Sequence, residues 1–413
     1  MNIVSRSLYY SRISPFIGKN LIKVITGQRR VGKSYFLQDI RKKLTASGRG
    51  HLLYINKEDL AFDSIRDYRD LVRWVEERIP AGEKGVLFID EIQEIAFFEK
   101  ALRHFHSSGR YDIYCTGSTA TLLSGELATL LGGRTISLEI YPLTYSEFLE
   151  FHHLEDREEN FGKYLLFGGM PGLIHLPMEE EVVFDYLRNL YNTILIKDVI
   201  ARHAIRNVSF LQNLVRYVAE NTGNLVSARS ISNFLKSQKI NISSLLVQDY
   251  LQYLNDAGFI HKVRRSDLQG KKIFEIGEKY FFNDIGMRNA VTGYRAGDIS
   301  RILENIVFLH LKAAGYLVTV GKDRTKEVDF VAEKRGERIY LQVTYLLSDK
   351  STLEREFGNL LRIRNDYPKM VVSMDQTATS SYEGIRHYHV RDFCRILLQE
   401  GQDTGENIRR NKC

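Results

Sequence analysis

The eight residues Gly27-Gln-Arg-Arg-Val-Gly-Lys-Ser34 constrain this chain more than any others. An apolar run at 22–25 (IKVI) precedes them and a helical pattern over 34–44 follows. In a strand, glycine loop and helix of this kind, backbone N–H groups wrap a phosphate and the helix N-terminus adds a favourable dipole. The loop lysine reaches β- and γ-phosphates, and the serine hydroxyl meets Mg²⁺. The candidate nucleotide contacts are Gly27, Gln28, Arg29, Arg30, Val31, Gly32, Lys33, Ser34 and Tyr35, with Lys33 also a catalytic candidate.

A second motif fits the first. Residues 86–91, VLFIDE, place four apolar residues before an acidic pair. The spacing reads as a buried strand with Asp90 at its carboxyl end, able to hold Mg²⁺ directly or through water. Glu91 is then placed to orient and deprotonate an attacking water. A third strand end, YCTGST, offers Thr116 and Ser118 as polar groups facing a terminal phosphate, because ligands of open α/β sheets lie outside the carboxyl ends of the strands. Arg134, just before the run 135–140, is placed to reach a neighbouring subunit's nucleotide.

Around these motifs, apolar runs at 22–25, 51–55, 86–89, 113–116 and 135–140 alternate with amphipathic stretches such as 34–44 and 65–78, the pattern of a parallel sheet with crossover helices. The strand signal stops over 156–205, where GGMPG (168–172) separates two helical segments. From 206 to 292 the order is helix, turn, helix, helix (242–257) and hairpin, that of a winged helix-turn-helix. From 293 to 413 a helix (301–314), three β-like runs, a helix (352–363), a strand and a strand–helix follow.

Composition sets outer limits. The 413 residues are 44% hydrophobic and 26% charged, with six prolines, which excludes a collagen-like or disordered chain. Cys115, Cys394 and Cys413 are too dispersed for a zinc ribbon or a disulfide framework and suit a reducing, cytoplasmic compartment. No apolar stretch approaches the ~18 residues of a membrane span, and the first twenty residues do not read as a secretory leader. The net charge of +7 is compatible with a polyanionic partner.

GQRRVGKS, FIDEIQ, TGSTATLLSGELATLLGGR and EIYPLTYSEF, with FGGMPG, LYNTILIKDVIARHAIRN and RYVAENTGN further on, resemble the prokaryotic AAA+ ATP-binding protein family over essentially the whole chain. The resemblance implies a P-loop AAA+ parallel sheet (1–155), a helical lid (156–205), a winged helix (206–292) and a restriction-endonuclease-like α/β domain (293–413). It further implies ATP as ligand and a homo-oligomer. Carried over by position, Ser118 becomes the first sensor and Arg134 the arginine finger. Where a second sensor arginine is expected, this sequence reads GGMP.

The two C-terminal domains carry their own candidates. In the winged helix, 242–257 reads as the recognition helix, leaving Ser243, Ser244, Gln248 and Gln252 on its polar face. Lys262, Arg264, Arg265, Lys271 and Lys272 in the wing are the candidate DNA-phosphate contacts. In the last domain Glu304, Asp329 and Gln342 follow the order of a PD-(D/E)XK nuclease site. That chemistry needs a second carboxylate and a lysine where this chain has Gln342 and Thr344. The expectation is a degenerate site, with Lys326 or Lys350 as the lysines able to compensate. Three functions follow: an ATP-driven DNA-binding machine, a regulatory ATPase whose C-terminal modules bind protein, and an ATP-gated nuclease.

Overall fold

The computed structural model describes residues 4–48, 50–117, 131–268, 277–323, 326–347, 350–376 and 381–399. They divide into two compact units, Met1–Tyr141 and Pro142–Cys413.

The first unit is built on five parallel strands: β1 (Ile22–Thr26), β2 (His51–Asn56), β3 (Gly85–Asp90), β4 (Tyr111–Thr116) and β5 (Thr135–Glu139). Their order is β2-β3-β4-β1-β5. β1, β3 and β4 are buried along their whole length, as expected of strands covered on both faces. On one face Ile22, Val24, Leu87, Ile89, Ile113 and Cys115 join Leu71, Val75, Leu102 and Phe105 from the helices Tyr68–Glu76 and Phe98–Ser108. Burial holds the Cys115 thiol up at about 12, so it stays protonated and inert. The helix Lys33–Ala46 buries Phe36, Leu37, Ile40 and Leu44, and Phe36 meets Tyr9 edge-on. All five strands lie where the apolar runs placed them.

The connectivity positions the ligand-facing end. β4 lies between β1 and β3, so the carboxyl ends of β1, β4 and β3 stand in a row: Thr26, Thr116 and Asp90. At the opposite end of β1 and β4, Lys23 and Asp112 form a buried ion pair. Gly18 N and the Tyr114 hydroxyl also donate to Asp112, at 2.8 and 3.0 Å.

The second unit begins with helices Tyr145–His152, Glu158–Phe167 and Glu180–Ile194, the last widening into a π-helical turn, Leu195–Ile200. Helices Val208–Glu220, Ala228–Ser237 and Ser244–Asp256 follow. A nine-stranded mixed sheet then forms from β6 (Leu225–Val226), β7 (Ile260–Asp267), β8 (Glu278–Phe282), β9 (Leu317–Asp323), β10 (Lys326–Lys334), β11 (Glu337–Val343), β12 (Lys369–Ser373), β13 (Ser381–Tyr382) and β14 (Ile385–His389). Its order is β13-β14-β12-β11-β10-β9-β7-β8-β6.

β7 joins the two halves of this sheet. Its first residues, Ile260 to Arg264, pair antiparallel with β8, and Arg265 to Asp267 pair parallel with Val320 to Lys322 of β9. The segments expected as a lid, a winged helix and an endonuclease-like domain therefore lie within a single unit, its last two parts sharing one sheet.

The glycines at 168–172 have a packing reason. A Cβ on Gly168 would lie 2.5 Å from the backbone nitrogen of Gly286, and one on Gly169 would lie 2.2 Å from the Leu143 carbonyl oxygen. Gly286 lies in the first turn of the helix Ile285–Thr292, whose N-cap is Asp284; the Asp284 carboxylate accepts from Met287 N and Gly169 N. Arg288 of this helix is fully buried and reaches the Ala219 carbonyl and Asp298.

Candidate functional site

The glycine loop occupies backbone that side chains tolerate poorly. Gly27 has φ of +146°, and a Cβ there would lie 2.4 Å from the Ile140 carbonyl oxygen. Gly32 has φ of +96° and starts the helix that follows. Lys33 is buried, its ammonium donating to the carbonyls of Gly27 and Gln28 at 3.1 Å each. The Thr26 hydroxyl, at the end of β1, is buried without a partner among the described residues. A glycine cradle with a buried ammonium folded over it has the donor set that a polyphosphate requires. Arg6, just before the helix Ser7–Ile13, buttresses the loop by donating to the Val31 and Tyr141 carbonyls at 3.2 and 2.8 Å. Tyr35 and Arg30 are exposed.

The acidic pair is held by two residues. The Thr116 hydroxyl donates to Asp90 and accepts from the Glu91 backbone N–H at 3.0 Å. The Tyr54 hydroxyl donates to the other Asp90 oxygen at 3.2 Å. Burial and the adjacent Asp90 carboxylate push the Tyr54 hydroxyl up to about 12. Glu91 has φ of +54° and its carboxylate accepts from the Gln93 amide. Asp90 is thus a fixed, buried acceptor at the carboxyl end of β3, and Glu91, next along, takes a left-handed backbone. The third strand end marked Thr116 only as a polar group facing a terminal phosphate, and its bonds to Asp90 and Glu91 were not foreseen; nor was Tyr54, because a tyrosine on an edge strand carries no local signal of a partner one strand away. Thr116→Val should lower turnover by roughly 10- to 100-fold, the range for a residue that orients a ligand, with ATP affinity little changed. Comparing steady-state rates with equilibrium nucleotide binding checks this.

The remaining candidates of this unit are less constrained. Arg134 is exposed in the turn before β5, its carbonyl accepting from Ile22 N. Ser118 lies outside the described residues.

In the second unit the structure brings Glu304, Asp329 and Gln342 together and adds a residue that sequence reasoning missed. Lys279 of β8 has its ammonium 3.1 Å from Glu304, 2.9 Å from Glu327 and 3.5 Å from Asp329. Asp329 accepts from Val343 N at 2.8 Å, and its own N–H donates to the Gln342 side-chain oxygen at 3.4 Å. Burial alone would lower the Lys279 pKa, but the three carboxylates raise it overall. Burial also raises Asp329 and, reinforced by Asp329, pushes Glu304 up to about 8. Lys326, one of the two lysines expected to compensate, is exposed.

This cluster has a pH signature. A carboxyl raised in the folded state keeps a proton that the unfolded chain releases, so stability falls as pH rises from about 4.5 to about 8. Glu304→Gln should flatten that part of the dependence in urea unfolding at pH 5 and 8. The slopes from Asp284, which burial raises to about 6, and from Asp329 and Glu356, which burial also raises, should remain.

The wing cations are partly committed. Lys262 lies 2.6 Å from Glu278 and Arg265 lies 4.0 Å from Glu327. Arg264 is exposed, and Lys271 and Lys272 fall outside the described residues. On the helix Ser244–Asp256, Ser243 is spent as the N-cap, accepting from Leu246 N, and Gln252 donates to Asp256. Exposed apolar residues Phe234, Ile240 and Leu245 interrupt the polar surface expected around this helix.

A family model described as an AAA domain matches residues 19–149, and a model for a domain of unknown function matches 158–298. The chain is 33% identical over 406 residues to an uncharacterized protein of Haemophilus influenzae, covering 96% of this chain and 99% of that one. It is 32% identical over 357 residues to an uncharacterized protein of Methanocaldococcus jannaschii, covering 82% and 77%. Among solved structures it is similar to AMPPCP-bound DnaA from Aquifex aeolicus, 15% identical with a TM-score of 0.33, covering 62% of this chain and 90% of that one. It is also similar to the Aeropyrum pernix ORC1 protein in complex with DNA, 12% identical with a TM-score of 0.29, covering 70% and 93%. These structural likenesses are too distant to bear on what the chain binds. The near end-to-end match to the Haemophilus influenzae protein, with that to the Methanocaldococcus jannaschii protein, places the chain in their family, and its residues 19–149 form an AAA domain.

Proposed function

We propose that the protein binds ATP with Mg²⁺, hydrolyses it, and couples the cycle to a DNA partner. The observation that carries the hydrolytic part is the row of strand ends, with the Gly27–Ser34 loop, Thr116 and the Asp90–Glu91 pair at one edge of one sheet. In this reading the loop N–H groups and Lys33 hold the phosphates, and Ser34 and Asp90 hold Mg²⁺. Bound there, Mg²⁺ neutralises phosphate charge. Glu91 takes the proton of the attacking water, Ser118 serves as first sensor, and Arg134 serves a neighbouring copy as arginine finger in a homo-oligomer. Within 142–413 we read a lid to 205, a winged helix to 292 and a degenerate PD-(D/E)XK-like domain beyond, in a cytoplasmic protein.

The net charge of +7 and exposed Arg264 support DNA as the partner. Phe234, Ile240 and Leu245 favour a second reading, in which the same helices dock a protein. ATPase rates with duplex, single-stranded, forked and four-way-junction DNA separate the two. Stimulation by one structure supports DNA coupling, and a flat response with good basal turnover supports the protein partner. Lys33→Ala, which removes a charged phosphate contact, should weaken ATP binding by roughly 10- to 100-fold, from about 1.5–3 kcal/mol for such a bond. Equilibrium binding of a fluorescent ATP analogue measures it, and unchanged affinity would move the phosphate site elsewhere.

A further inference from the structure

We infer that Glu304, Glu327 and Asp329 draw their counter-charge from the chain itself: Lys279 occupies the place a divalent cation would need, and the native protein holds no metal there. The inference goes beyond nucleotide hydrolysis and does not depend on it.

The donor set argues against a metal. A hard divalent cation is held by six or more oxygens, with carboxylates doing most of the work. Here the Gln342 oxygen accepts from Asp329 N, and one Asp329 oxygen accepts from Val343 N. One oxygen each of Glu327, Glu304 and Asp329 faces the same ammonium, at 2.9, 3.1 and 3.5 Å. A cation bound to those same oxygens at about 2.0–2.6 Å would stand against the ammonium, and like charges at that range in a buried site repel strongly. Lys279 has little room to leave, with its side chain 3% exposed. Arg265 brings a second positive charge to Glu327.

The fold also closes the cluster. A Cβ on Gly223 would lie 3.0 Å from a Glu304 carboxylate oxygen, so backbone seals that side. Lys279 arrives on β8 through the junction where β7 leaves β8 for β9. The carboxylates of a nuclease-like layout are thus used to anchor the β7–β8 hairpin.

The test is Mn²⁺ binding to the full-length chain without nucleotide, read from the EPR signal of free Mn²⁺. Wild type, Glu327→Gln and Asp329→Asn should give the same isotherm, since no site depends on these carboxylates while Lys279 is present. Lys279→Ala should gain one Mn²⁺ per chain, with affinity on the order of 10⁻⁴–10⁻³ M, lost again in Lys279→Ala/Asp329→Asn. Mn²⁺ should raise the melting temperature of Lys279→Ala and leave that of wild type unchanged. A wild-type site removed by Glu327→Gln or Asp329→Asn would overturn the inference, and that comparison stands even if Lys279→Ala does not fold. A folded Lys279→Ala that gains no Mn²⁺ would overturn it equally.

Discussion

Glu91→Gln is expected to lower ATP turnover by about 10²–10⁴-fold, the usual worth of a positioned general base, while ATP binding stays near wild type. The substitution keeps shape and removes only the ability to take a proton. Its neighbours are untouched: the Glu91 N–H still donates to Thr116, and Asp90 keeps its bonds to Thr116 and Tyr54. Single-turnover hydrolysis with a parallel binding titration separates chemistry from affinity. Wild-type turnover in the variant would remove Glu91 from the role of base and leave only the phosphate loop assigned.

Lys279→Met should produce the largest loss of stability, about 3–5 kcal/mol, the cost of removing one partner from a buried charge cluster. Methionine fills most of the volume, so the loss reports charge more than packing. Glu304, Glu327 and Asp329 would then face one another with only the more distant Arg265, on Glu327, as counter-charge, and protonation would relieve them. The deficit should therefore be smaller at pH 5 than at pH 8, because carboxyls raised in the folded state lose stability as pH rises. Adding Glu304→Gln to Lys279→Met should recover part of it, measurable as a coupling energy by urea unfolding. A loss below about 1 kcal/mol, in the range of exposed pairs, would mean the cluster does not depend on this ammonium.

What was legible in the sequence followed from local chemistry. The loop could be read because Gly27 and Gly32 sit in backbone few side chains tolerate, and β3 because VLFID is a strand buried on both faces. The break at 168–172 was legible, but its cause, the approach of Gly168 to Gly286, is a contact across more than a hundred residues. Lys279 was invisible for the same reason: its partners come from a helix and a strand that reach it only because β7 changes partners midway. The apolar spacing of 242–257 predicted a helix correctly but also predicted that its apolar residues face inward, and Leu245 is exposed.

That change of partners bears on how the chain can be divided. A cut at residue 292 would strip β9 from Arg265, Ser266 and Asp267, leaving each fragment with an open β-edge. Such edges recruit strands from other molecules. The N-terminal fragment would keep Lys279 without Glu304, Glu327 or Asp329, and the C-terminal fragment would keep the acids alone. Neither half is complete by itself; because Gly169 and Asp284 tie the earlier helices to the same unit, recombination, natural or engineered, must keep the unit from Pro142 onward together.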